Sequence, residues 1–151
     1  MQILSAAWLY PIIIIAGALQ ACGPPMNNAL RGAMVNPWLA SLVSFLPVVA
    51  FIAVLLMCLP HPLPTEKGLA EMPWWAPLGG LVGALAVIAG LLFVGSVGAG
   101  AFAGLTITAN IIMSLIIDKY GMFGMTVHDL TPGRIAGAGL MVAGIALISR
   151  F

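Results

Sequence analysis

The stretch PWWAPLGGLVGALAVIAGLLFVGSVGAGAFAGLTITANIIMSLIIDKY, residues 73–120, runs from Pro73 to Ile117 without an Asp, Glu, Lys or Arg. A hydrocarbon core takes roughly 20 apolar helical residues to cross, so this length holds two spans. Gly95-Ser96-Val97 leaves room between them only for a tight turn. Trp74 and Trp75 stand at its start, as in an interfacial aromatic belt, and Asp118-Lys119-Tyr120 marks its end. Spans are expected over about 73–94 and 98–117.

Three further spans flank this pair. The first begins at about Ile3 and reaches Cys22, or Arg31 if the helix continues past its prolines (3–31). The next opens at Trp38 behind the start signal Asn36-Pro37 and ends near Leu59 (38–59). The last follows Thr131-Pro132, a good N-cap with a first-turn proline, and covers 132–150. The expectation is an all-α integral membrane protein with five transmembrane helices in a single domain, 1–151. Barrel strands would be shorter and would alternate. Composition agrees: 62% of residues are hydrophobic and 6% charged, and the mean hydropathy is +1.16, far outside soluble-domain usage. A net charge of +1 with no basic run gives no reason to expect a nucleic-acid partner.

Leu19-Gln20-Ala21-Cys22 resembles a lipoprotein cleavage box, but its apolar run is too long, no Lys or Arg precedes it, and four more spans follow. Cys22 and Cys58 fall near opposite membrane faces, roughly 30 Å apart, too far for a disulfide. Lys67, Lys119 and Arg134 lie on the N-terminal side and Arg31 and Arg150 on the other. That near-balance is consistent with insertion in both orientations, or with one arginine near a helix end fixing a single orientation.

Two polar stripes interrupt the apolar spans. In LQACGPPMNNALR (19–31), Gln20, Pro24, Asn27 and Arg31 recur at spacings of four, three and four, which puts them on one face of a continuous helix. Pro24 and Pro25 carry no amide hydrogen, so the carbonyls of Gln20 and Ala21 lose their helical donors. This is either a broken helix lining a cavity or a span that stops at Cys22. In the fourth span Thr106, Asn110 and Ser114 are spaced by four, and Asp118 extends the series to the membrane surface. An amide in hydrocarbon needs partners, which a substrate or a neighbouring helix can supply. The two hydroxyls have a third option in their own backbone. Pro47 is expected to kink the second span and release the carbonyl of Val43. Small-residue pairs such as Gly100 with Gly104 and Gly133 with Gly137 suit close helix packing, within a chain or between chains.

No nucleophile stands with a base, the two cysteines and two histidines lack metal-ligand spacing, and no phosphate loop is present, so neither an enzyme nor a cofactor is expected. Glu66, Glu71, Asp118 and Asp129 fall in loops or at helix ends, as do His61 and His128. Asp118 is expected to pair with Lys119 or Arg134 at the interface. Without a carboxylate at the midplane, a permanently charged substrate would find no countercharge. A neutral, zwitterionic or amphipathic small molecule is the expectation, with Phe45, Phe93 and Phe102 as candidate apolar walls.

The run SLIIDKYGMFGM (114–125) after a polar fourth span, NNALRG (27–32) closing the first, and a glycine-rich last span resemble the five-helix YdcZ family, grouped with the drug/metabolite transporter superfamily. The likeness covers essentially the whole chain. It departs at Ala109-Asn110, where related sequences usually carry a glutamine. Larger members of the superfamily look like two five-helix halves of opposite orientation. The resemblance therefore implies one half of an inverted repeat, completed by a second copy as an antiparallel, dual-topology homodimer in the bacterial inner membrane. It further implies a small-molecule transporter with its site near the midplane. The expected substrate contacts are Gln20, Asn27, Thr106, Asn110 and Ser114, and membrane lipids are the other partner. The alternative is a non-transporting, lipid-binding membrane dimer or an obligate subunit of a heteromeric complex.

Overall fold

A computed structural model describes residues 9–59 and 62–150. Ile3, the expected start of the first span, and His61 lie outside the described residues. The described elements are α-helices and short 3-10 turns, in the order α1 (Leu9–Met34), α2 (Pro37–Cys58), α3 (Glu66–Ala70), α4 (Gly79–Val97), α5 (Ala99–Tyr120) and α6 (Pro132–Ile148). Among the described residues, four helices are long and apolar enough to cross a membrane: α1, α2, α4 with the 3-10 turn before it, and α5. The shorter apolar α6, with 17 residues, is at the lower end of the spanning range. The protein is an all-α integral membrane protein. Backbone contacts divide it into two compact units, Met1–Gly95 and Ser96–Phe151.

In the first unit, α1 continues through Pro24 and Pro25 for 26 residues, about 39 Å at the helical rise. A span ending at Cys22 is thereby overturned. A helix supplies the φ that proline demands, and here the helix carries on past both prolines with two amide donors missing. Past them, Asn27 and Arg31 are hydrogen-bonded to neighbouring helices, which favours continuation. The helix ends at Val35, which takes a left-handed φ of 62°. Asn36 follows as the N-cap of α2, its side chain accepting from the amides of Trp38 at 3.0 Å and Leu39 at 3.3 Å. Pro37 fills the first turn, and α2 runs on through Pro47 to Cys58. Ala40 and Ser41 are the buried residues of α2, near its start. In the loop, Thr65 caps α3 by accepting from the Gly68 amide at 3.1 Å. The buried residues of α4 are Gly90, Leu91 and Val94.

The expected turn at Gly95-Ser96-Val97 is corrected: these residues are helical, and α4 runs to Val97. The break is concentrated in Gly98, whose φ of 85° only glycine adopts without strain. One such residue suffices to end a helix and cap the next.

In the second unit, α5 ends at Gly121, which has a left-handed φ of 59° and returns its amide to the Ile117 carbonyl. The loop is held by the His128 amide, which donates to the Asp118 carbonyl at 2.9 Å. Thr131 caps α6. On α6 the covered residues Arg134, Ala138, Met141 and Ile145, with Gly144 beside the last, recur every three or four residues, and Gly104, Thr108, Ile111, Leu115 and Asp118 do the same on α5. Gly104 is the point of closest approach. A methyl group there would overlap Cδ1 of Ile145, so this small residue serves packing within the chain.

Candidate functional site

Polar side chains gather at the end of α1. Ser44 Oγ of α2 donates to Asn27 Oδ1 at 2.7 Å, a hydrogen bond between two membrane helices. One residue further round α1, Asn28 lies against α4: a Cβ built on Gly95 would stand 2.9 Å from Asn28 Oδ1. Arg31 reaches the same helix, its Nη1 donating to the Leu92 carbonyl at 3.0 Å. No carboxylate faces Arg31 among the described residues. Asn27, Asn28, Arg31 and Ser44 are all half-buried. Gln20, on the same stripe, is exposed and has no hydrogen-bond partner among the described residues.

The predicted residues of α5 are placed differently. The half-buried Thr106 donates to its own backbone, at 3.0 Å from the carbonyls of Phe102 and Ala103. Asn110 and Ser114 are exposed and have no partner among the described residues. Helical geometry puts Thr106 and Asn110 well away from the face that packs on α6. Asp118 pairs with Arg134 at 2.5 Å, one of the two partners expected of it. Lys119 stands instead over the ring of Tyr120, 5.5 Å from its centroid. Beside this end of the helix pair is an open groove of about 280 Å³, lined by Leu115, Ile116, Ile135 and Ala138 together with Lys119 and Tyr120.

Gln20 and Asn27 thus belong to the first unit and Thr106, Asn110 and Ser114 to the second. Within the first, Asn27 is joined to Ser44 and flanked by Asn28 and Arg31, while Gln20 stands apart. Sequence reasoning passed over Ser44 and Asn28. The signal for Ser44 was a hydroxyl in an apolar span; for Asn28 it was the doubled amide Asn27-Asn28, whose members point to different neighbours about 100° apart. Of the candidate apolar walls, Phe93 is exposed and Phe45 and Phe102 are half-buried. Among the described residues, no group of three or more His, Cys, Asp or Glu is placed to hold a metal ion.

The arrangement is one of apolar helices carrying isolated amides and hydroxyls. The family described as "Putative inner membrane exporter, YdcZ" matches residues 8–147. The chain belongs to this family. It is accordingly a multi-pass protein of the inner membrane. No curated protein and no solved structure matched it.

Proposed function

We propose that this YdcZ-family chain transports a neutral, zwitterionic or amphipathic small molecule, and that it works as an antiparallel, dual-topology homodimer with the substrate near the midplane. In this reading both units act together as one five-helix transmembrane domain, and Gln20, Asn27, Thr106, Asn110 and Ser114 contact the substrate. The observation that carries it is the continuity of α1 through Pro24 and Pro25. It keeps the Gln20 and Ala21 carbonyls, which have lost their helical donors, within the same helix as Gln20 and Asn27. Lipid cannot satisfy such groups, whereas water or a bound polar molecule can. Membership of a family of exporters and the near-balance of Lys and Arg support the same reading.

The groove beside Lys119 and Tyr120 favours a second reading, a lipid-binding membrane dimer without transport, because its apolar lining suits an acyl chain. The deciding experiment puts a single reporter cysteine after Phe151 in a chain with Cys22 and Cys58 replaced. An impermeant thiol reagent is then applied to intact and to lysed cells. Labelling of about half the chains in intact cells is expected for dual topology. Labelling near zero or near completion would rule out the inverted homodimer.

A further inference from the structure

Arg31 is a charge that no carboxylate side chain of its own chain answers. It stands in the last turn of α1, half-buried, with Nη1 donating to the Leu92 carbonyl of α4 at 3.0 Å. That contact fixes the guanidinium but uses one of its five N–H donors and leaves its charge uncompensated. A cation drawn partly out of water is costly without an anionic partner. The chain has four Asp and Glu residues, and its connectivity carries all of them to the other membrane face. From the Arg31 end, α2 leads away before Glu66 and Glu71, and α5 leads away from Gly98 before Asp118 and Asp129. Each is a membrane crossing away, roughly 30 Å. The missing countercharge therefore comes from outside the chain.

Asn28 adds to the arrangement. It precedes Arg31 by three residues, which sets both on one face of α1, and the same spacing separates Leu92 from Gly95 on α4. Gly95 gives the carboxamide its room, since a Cβ there would stand 2.9 Å from Asn28 Oδ1. The Asn28 side chain has no hydrogen-bond partner among the described residues. Its two N–H donors thus share a face with a guanidinium that has donors to spare. A planar fork beside an amide matches an anionic oxygen group. We infer that Arg31 and Asn28 form an anion site at the α1–α4 contact, which takes the phosphate or carboxylate of a lipid headgroup or of a small zwitterion. In the second case it deepens the transport reading, on which that part rests. Asn27 lies about 6 Å from Arg31 along the helix, so a substrate with an anionic end spans both, and neutral molecules leave the substrate class.

The test is binding to the full chain in an uncharged detergent at fixed ionic strength, read from the shift in thermal unfolding. Inorganic phosphate and dioctanoyl phosphatidylglycerol present the same group from the two sources, and dioctanoylglycerol is the control without phosphate. Arg31→Gln is expected to weaken phosphate-dependent binding about tenfold, while Arg150→Gln, the other arginine on this face, leaves it unchanged. Dependence on Arg31 with both probes assigns the site to a soluble anion; dependence with the lipid alone assigns it to a headgroup. Equal losses in Arg31→Gln and Arg150→Gln, or no dependence on Arg31 with either probe, would overturn the inference. The second result is also what a carboxylate from an inverted copy at Arg31 would give. Asn28→Asp guards against a misfolded Arg31→Gln, because it supplies the missing carboxylate within the chain. It is expected to abolish binding of both probes with the unfolding midpoint no lower than the parent's; undiminished binding would overturn the site. If the reporter after Phe151 is half-labelled but Arg31 binds no anion, the dimer stands and only this site falls. If Arg31 binds the anion but labelling is near zero or complete, the site stands without the homodimer.

Discussion

In the first unit, helices are tied by side chains that cross from one to the next: Asn27 with Ser44 between α1 and α2, and Arg31 with the Leu92 carbonyl between α1 and α4. In the second, α5 and α6 approach through a missing side chain at Gly104, into which Ile145 fits, with a single ion pair at the end of the contact. Both belong to a chain of the same overall hydrophobicity, yet one unit relies on polar bridges and the other on shape. The difference shows where polarity is spent. On α1 it is absorbed by neighbouring helices, apart from Gln20, whereas within the second unit the mid-helix Asn110 of α5 is exposed and has no partner among the described residues.

Substitutions can break or sharpen this contrast. The largest effect is expected from Gly104→Leu, which would drive a side chain into the space of Ile145 and destabilise the α5–α6 contact by about 3 kcal/mol. Thermal unfolding in detergent measures it, and combining the change with Ile145→Ala should recover part of the loss. Next is Arg31→Lys, which keeps the charge that bears on orientation but loses the guanidinium geometry toward Leu92; a loss of about 1.5 kcal/mol is expected. If the lysine variant matches the parent in stability, the α1–α4 bridge is incidental. A double-mutant cycle between Asn27→Ala and Ser44→Ala should give a coupling of about 0.6 kcal/mol, typical of hydrogen bonds between membrane helices. A coupling of zero would mean that the two side chains act independently. The smallest effect is expected at Asp118. Because the side chains of Arg134 and Asp118 are 36% and 23% exposed, Asp118→Asn should lower stability by about 0.5 kcal/mol, less at high salt. An effect as large as that of Gly104→Leu would show that the second unit depends on charge after all.

Much of the fold was legible because spans announce themselves by length and by the absence of charge. Thr131-Pro132 and Asn36-Pro37 marked helix starts correctly, since a capping side chain and a fixed proline φ act locally. The run Gly95-Ser96-Val97 misled for the complementary reason. A glycine says that a turn is affordable, and only packing says whether it is made; Gly95 stays helical against Asn28 while Gly98 takes the positive φ. The two prolines of α1 left a stop at Cys22 open beside a helix reaching Arg31, and the structure takes the continuous helix. At the candidate sites, periodicity found the stripes but not their partners. It grouped Gln20 with Asn27, although Ser44 reaches one of them and nothing described reaches the other. Asp118 with Arg134 could be anticipated because few charges were available to choose from.

Val35 and Asn36, which alone separate α1 from α2, also bear on biogenesis. A connection this short cannot cross a bilayer by itself, so neither helix can be inverted while its neighbour stays in place. The membrane-insertion machinery must handle α1 and α2 as one helical hairpin, and Arg31 travels with that hairpin. Whatever sets the orientation of this protein acts on the pair at once. A longer, flexible linker inserted between Met34 and Pro37 would uncouple that choice, allowing half-inverted chains that the native two-residue hinge forbids.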